Sequence, residues 1–282
     1  MPAFWKKSCA ALLKLLGFSL IWCACCFAAV LAYTAIWPEQ TGEEVVTKRD
    51  VVFDTSHIDQ GYFMAMDKSS SSTLKMRVTK HDPEKDIDIV YTYDLNNTGE
   101  YEVFPLQMGD GKYTCTVFKH VESNKYSKST EIKLDVELEN EFVPYLGPNQ
   151  YVHYTPEFKA VEESMLLCEG LETDVEIYDK IVEYMSQNFS YDYERAASGP
   201  GFYLGDVEGC FETRIGLCQD LSAVTACMLR VQGIPCQLVI GYADKYYHAW
   251  NKVYVDGEYR LLDITACITG VPAKVYTEDR HY

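Results

Sequence analysis

Positive charge is scarce in this 282-residue chain: 25 Lys and Arg stand against 42 Asp and Glu, a formal net charge of −17. The imbalance lies wholly beyond residue 37, because Met1 to Trp37 holds three lysines and no acid, leaving 22 basic against 42 acidic residues in the remainder. Such a surface repels a phosphate backbone, so nucleic acid is excluded as a partner, and solubility is the plain reading of the charge. Histidine is also sparse, and the six present show no zinc-ligand spacing, so no metal site is expected. No cofactor is expected either. The string Gly109-Asp110-Gly111-Lys112 lacks the Walker spacing and a following helix, and reads as a hairpin turn. No internal repeat is present, which removes solenoid architectures.

Long apolar runs are absent except at the start. Lys6, Lys7 and Lys14 precede an uncharged run from Leu15 to Trp37. As a helix it would measure roughly 35 Å, enough to cross a bilayer core of about 30 Å. The lysines then stay cytoplasmic and everything after Pro38 lies outside. A cleaved signal peptide competes, but the run is longer than a usual signal core and no clean Ala-x-Ala site ends it, so an uncleaved anchor is favoured. Cys23, Cys25 and Cys26 would sit in the membrane. Seven cysteines follow. Setting Cys218 aside leaves Cys115, Cys168, Cys210, Cys227, Cys236 and Cys267, which an oxidising compartment could pair into at most one or two disulfides; Cys227 and Cys236 read as core.

The informative stretch runs from Gly216 to Thr265. Cys218 to Arg230 has helical length and stops before Gly233 and Pro235, which puts Cys218 at a helix N-terminus. Free backbone N–H groups and the positive end of the helix dipole favour a thiolate there. Three strands follow, Gln237 to Tyr242, Tyr247 to Val255 and Glu258 to Ile264, the last two joined by the hairpin signal Asp256-Gly257. If Val255 pairs with Glu258, then Trp250 pairs with Asp263 and His248 with Thr265, so His248 and Asp263 are diagonal neighbours on one face. A carboxylate so placed holds the histidine tautomer that takes a thiol proton. Trp250 reads as packing beside the site. For the oxyanion, the Cys218 backbone N–H is the favoured donor, with Tyr191 and Tyr203 as side-chain alternatives that spacing does not separate.

Taken in order, Gly216-Leu217-Cys218-Gln219-Asp220, Leu229-Arg230-Val231-Gln232-Gly233-Ile234-Pro235, Gly241-Tyr242, His248-Ala249-Trp250-Asn251 and Leu262-Asp263-Ile264-Thr265 resemble the core of the transglutaminase-like superfamily, of a membrane-anchored bacterial type. The resemblance implies a papain-like arrangement with Cys218 as nucleophile, His248 as base and acid, and Asp263 as orienter. It also implies a range of outcomes, since such members include cross-linkers, peptidases, deamidases and inactive scaffolds.

Between anchor and core the texture changes. Period-two runs such as Leu74 to Val78, Tyr113 to Val117 and Glu131 to Leu138 predict half-buried antiparallel strands. Turn signals at Ser69 to Ser72, Asn96 to Gly99, Asp110-Gly111 and Ser123-Asn124 space them as in an immunoglobulin-like β-sandwich. After a boundary near Pro144 to Asn149, Thr155-Pro156 predicts one helix start. Thr173 to Glu176 predicts a capping box for a second helix with an apolar stripe of Tyr178, Ile181, Val182, Met185 and Phe189. Ser198 to Gly209 reads as a glycine-rich loop near Cys218.

The expected fold is therefore α+β in three parts. Residues 1–37 form a cytoplasmic stub and transmembrane signal anchor, residues 38–145 an immunoglobulin-like β-sandwich, and residues 146–282 a transglutaminase-like catalytic domain. The expected function is a membrane-anchored extracytoplasmic thiol enzyme acting on amide bonds of cell-surface proteins or peptides, with hydrolysis favoured over cross-linking. A catalytically inert adhesion or scaffold protein is the alternative, and loss of Cys218, His248 or Asp263 would be its signature.

Overall fold

The structure is a computed structural model and describes residues 33–68 and 71–282. The expected stub and most of the expected anchor lie outside the described residues, as do Ser69 and Ser70 of the expected turn. Among the described residues no helix is long and apolar enough to cross a membrane. The far end of the apolar run departs from expectation, since residues 34–37 are not helical. The Ile36 N–H donates to the Leu146 carbonyl at 2.9 Å, and Trp37 meets Tyr154 edge-on at 5.6 Å between ring centroids. Their apolarity serves packing against the protein, which hydropathy alone does not distinguish from membrane burial.

The alternating segment forms eight strands: β1 (Val45–Lys48), β2 (Val51–Asp54), β3 (Tyr62–Asp67), β4 (Leu74–Asp82), β5 (Ile87–Leu95), β6 (Glu102–Pro105), β7 (Gly111–Glu122) and β8 (Lys125–Val136). They make two antiparallel four-stranded sheets, in the orders β1-β2-β3-β6 and β5-β4-β7-β8. The alternation decides the faces: Leu74, Met76 and Val78 of β4 are buried while Arg77 between them is exposed. Tyr93 of β5 meets Phe104 of β6 edge-on at 5.8 Å, so the two sheets close one apolar layer.

The remaining chain is mixed. It runs α1 (Lys159–Leu167), α2 (Asp174–Asn188), β9 (Ser190–Tyr191), α3 (Tyr193–Ala197), α4 (Val207–Thr213), β10 (Ile215–Gly216), α5 (Cys218–Arg230), β11 (Cys236–Ala243), β12 (Tyr246–Val255), β13 (Glu258–Leu262), α6 (Ile264–Thr269) and β14 (Tyr276–His281). Four of the strands form an antiparallel sheet in the order β13-β12-β11-β14, and β9 and β10 pair in parallel. The capping box at α2 forms as read: the Glu176 N–H donates to Thr173 Oγ1 at 3.2 Å and the Thr173 N–H to Glu176 Oε2 at 3.1 Å. The start at Thr155-Pro156 does not. There the Phe158 N–H closes a turn on the Thr155 carbonyl, and α1 begins at Lys159. A residue before proline is pushed to extended backbone, so the proline delays the helix here.

Every residue of α5 from Gln219 to Arg230 is buried. Such a helix cannot leave its ends to water. At the C-terminal end the wholly buried Arg230 satisfies three carbonyls, donating to Cys236 at 2.9 Å, Gly147 at 2.7 Å and Tyr282 at 2.8 Å. Tyr282 pairs by main chain with Leu238 and stacks on Tyr151 at 3.4 Å, and both rings touch Tyr93 of β5. One guanidinium thus joins the segment after the sandwich, the central helix and the strand edge.

The seven described cysteines are all free thiols, so the disulfides considered for the outer segment are absent among them. Cys115, Cys227 and Cys236 have no exposure and pack as small hydrophobes, as read for the latter two. Burial pushes the Cys236 thiol up to about 12, which suits an inert filler.

Replacing Arg230 by Met keeps volume but strands three buried carbonyls. Each such group costs about 1–3 kcal/mol, so denaturant unfolding should show a loss of about 3–5 kcal/mol; a loss under ~1 kcal/mol would remove the role assigned to this side chain.

Candidate active site

Cys218 is the first residue of α5, half-buried, with Leu217 as an extended N-cap. The N–H groups of a first turn have no partner within the helix, so they and the dipole face the thiol. Gly216 is needed just before it: a Cβ there would lie 2.6 Å from Cys210 Sγ and 2.8 Å from Asp220 Cβ. Asp220, 1% exposed, organises the surroundings. Its Oδ2 accepts from the Leu217 N–H at 3.0 Å, from Arg195 Nη1 at 2.8 Å and from the Tyr203 hydroxyl at 3.3 Å, while Oδ1 accepts the Asp206 N–H at 3.1 Å. A buried carboxylate requires such donors, and these ones pin α3 and the loop after it against the first turn of α5.

That loop is shorter than its glycines suggested. Residues 198–206 are irregular, but α4 begins at Val207 with Asp206 as its cap, accepting from the Gly209 N–H at 2.9 Å. Of the two tyrosines considered for the oxyanion, Tyr203 is engaged with Asp220 and lies under the Arg195 guanidinium at 4.3 Å. Tyr191 comes in on β9, opposite Gly216 of β10. Burial first, and then nearby negative charge including that of Cys218, raises the pKa of Tyr191, Tyr203 and Tyr247. All three therefore lie within electrostatic reach of the thiol.

The hairpin register places the histidine. Val255 pairs with Glu258 as the Asp256-Gly257 turn predicts, and the ladder continues to Asn251 opposite Leu262. It stops there. Asp263 leaves the strand to cap α6, its Oδ1 accepting the Ala266 N–H at 3.0 Å, so the expected pairing of His248 with Thr265 does not form. An aspartate able to satisfy a helix's first N–H groups ends the strand two residues early. The contact between the two side chains forms all the same: His248 Nε2 donates to Asp263 Oδ2 at 2.9 Å. The same oxygen accepts the Tyr276 hydroxyl at 2.8 Å. Trp250, 2% exposed, lies near-parallel to His248 at 6.3 Å and edge-on to Tyr276 at 5.3 Å, shielding the pair.

Electrostatics follow from this packing. Burial works against a charged His248, yet hydrogen bonds to Asp263 and Cys218, with their charges, outweigh it and push the imidazole up to about 9. Burial likewise opposes the Asp263 carboxylate, but its bonds to His248, Ala266 and Tyr276 hold it below the usual range. Cys218, His248 and Asp263 are thus brought together, with Nε2 committed to the carboxylate and the other ring nitrogen left for the thiol. Arg195, Asp220 and Tyr276 are site residues that the sequence pattern does not single out. Asp220 lies in the Gly216 to Asp220 motif, but Arg195 and Tyr276 carry no local signal.

A histidine raised in the folded state stabilises it fully below about pH 6.5, its unfolded value, and that contribution disappears as pH climbs through about 9. Imidazole NMR titration should find His248 near 9 and lower it by about one unit or more in Asp263→Asn. An unchanged titration in that variant would show that the carboxylate does not hold the charge.

The model of the transglutaminase-like superfamily matches residues 165–264. No curated protein sequence matches the chain. Among solved structures, a candidate cysteine protease from Cytophaga hutchinsonii is 16% identical, covering 78% of this chain and 91% of its own, with a TM-score of 0.38. The periplasmic domain of TgpA from Pseudomonas aeruginosa is 15% identical over 83% of this chain and 77% of its own, with a TM-score of 0.36. Red sea bream transglutaminase is 11% identical over 72% of this chain and 48% of its own, with a TM-score of 0.29. At TM-scores this low the likenesses carry no chemistry across. Residues 165–264, which hold Cys218, His248 and Asp263, are a transglutaminase-like domain.

Proposed function

We propose that this chain is a cysteine-dependent amide hydrolase in which Cys218, His248 and Asp263 act as a triad. The observation that carries the reading is His248 held between a thiol at a helix N-terminus and a carboxylate 2.9 Å from Nε2. In this scheme the Cys218 thiolate adds to an amide carbonyl, and the oxyanion forms beside the free N–H groups of the first turn of α5. Collapse breaks the C–N bond as His248 gives its proton to the leaving amine, leaving a thioester on Cys218. Water then attacks, its proton passing to His248, and the thiolate is regenerated with release of the acid.

Hydrolysis is preferred to amine transfer because the site stands open to water. Tyr247 is 57% exposed within electrostatic reach of a thiol that is itself only half-buried. The substrate class is a protein or peptide amide. The apolar run after Lys14 supports a membrane anchor with the N-terminus cytoplasmic, and so a cell-surface location for the chemistry. The two-sheet unit supports an immunoglobulin-like reading, since dropping β1 leaves strands ordered 2-3-6 against 5-4-7-8, with the fifth on the edge beside the fourth. It would act as a spacer or binding module.

Trapping on Cys218 tests the reading. Incubation with a cell-surface extract, a quench in acid and peptide mapping should reveal an acyl adduct on Cys218, and Cys218→Ala should lower amine release by about a thousandfold or more. A Cys218→Ala variant that keeps the full cellular phenotype would instead support an inert scaffold.

A further inference from the structure

The strand that completes the site lies beyond the matched residues 165–264, on β14. Its first residue, Tyr276, donates to Asp263 Oδ2 at 2.8 Å, the oxygen that also receives His248 Nε2 at 2.9 Å. The Ala266 N–H occupies Oδ1 at 3.0 Å. Three donors therefore hold both oxygens of a carboxylate that is 8% exposed, where water is poorly placed to replace a lost one.

Delivery of that hydroxyl depends on a glycine. A Cβ on Gly241 would lie 2.1 Å from the Thr277 carbonyl oxygen, 2.9 Å from the Asp279 nitrogen and 3.0 Å from Trp250 Cη2. The register of β11 against β14 shifts between Ile240 and Gly241, which is where β14 comes in this close. On its other side Gly241 is paired with His248. One residue without a side chain thus stands between the strand of the histidine and the strand of the tyrosine. The entry to β14 is tied down by Asp244, whose carboxylate accepts the Lys274 N–H at 3.1 Å and the Val275 N–H at 3.0 Å, and whose own N–H donates to the Val275 carbonyl at 2.7 Å.

We propose that Tyr276 is a positioning residue that fixes the Asp263 carboxylate against His248, and that Gly241 is the position that admits it. The hydroxyl does not touch the substrate. It prevents rotation of the carboxylate about its Cβ–Cγ bond, so that Oδ2 stays on Nε2 through the reaction. The titratable and charged groups facing the pair are Cys218 of α5, Cys267 of α6 and Tyr276 of β14, and Asp244, just after β11, acts on Tyr276.

The test needs no substrate, so its failure is distinguishable from failure of the amidase reading. The rate of Cys218 alkylation by iodoacetamide is followed against pH by peptide mapping in the full-length protein, where the upper inflection marks loss of the His248 proton. Tyr276→Phe keeps the ring packed on Trp250 and removes only the hydroxyl. It should move that inflection down by about one unit with the thermal midpoint within about 4 °C of wild type. Gly241→Ala, where it folds, should move the inflection the same way. A Tyr276→Phe profile that coincides with wild type overturns the proposal. So does an upward shift, which would mean that the hydroxyl only competes with His248 for Oδ2.

Discussion

A helix buried on every side must have its ends satisfied by the protein itself, and much of this structure answers that demand on α5. At its start Asp220 is surrounded by the Leu217 and Asp206 amides, the Arg195 guanidinium and the Tyr203 hydroxyl. At its end Arg230 gathers the carbonyls of Cys236, Gly147 and Tyr282. Neither charge could be buried alone, because desolvation would cost several kcal/mol per ion. Each is tolerated because segments distant in sequence converge on it. The loop flanking the thiol and the junction with the β lobe are by-products of these two solutions.

The same logic shapes the candidate site. Cys218 is held rigid because its helix has nowhere to move, and His248 lies on a strand whose hairpin turn sets its register. Asp263 serves two functions at once: Oδ1 caps α6 while Oδ2 meets the imidazole. Capping orients the carboxylate, which is the preorganisation that the proposed acid–base work requires. Trp250 then keeps water from the far side of the pair.

Much of this was legible from local pattern. The limits of α5 follow from Gly233 and Pro235, the capping box at Thr173 from four adjacent residues, and the Val255–Glu258 pairing from Asp256-Gly257. The structure departs from local pattern where two local signals compete. Ile264 and Thr265 favour a strand, but Asp263 before them is a helix cap, and the cap prevailed. Thr155-Pro156 signals a helix start, yet the turn closed by Phe158 comes first. Trp37 extends an apolar run in sequence and packs on Tyr154 in space.

By itself the sequence determined the order α5-β11-β12-β13, the turn-set register of the β12–β13 hairpin and the placing of Cys218 at a helix start, because each depends on residues within a few positions of one another. The cysteine, the histidine and the aspartate were recognisable for the same reason. Only the tertiary structure decided that Arg195 and Tyr203 would hold Asp220, that Arg230 would join three segments, and that β14 would bring Tyr276 onto Asp263 past Gly241. Those contacts satisfy buried charge, and what satisfies a buried charge is whatever donor the whole fold brings within about 3 Å, a distance on which sequence separation has no bearing.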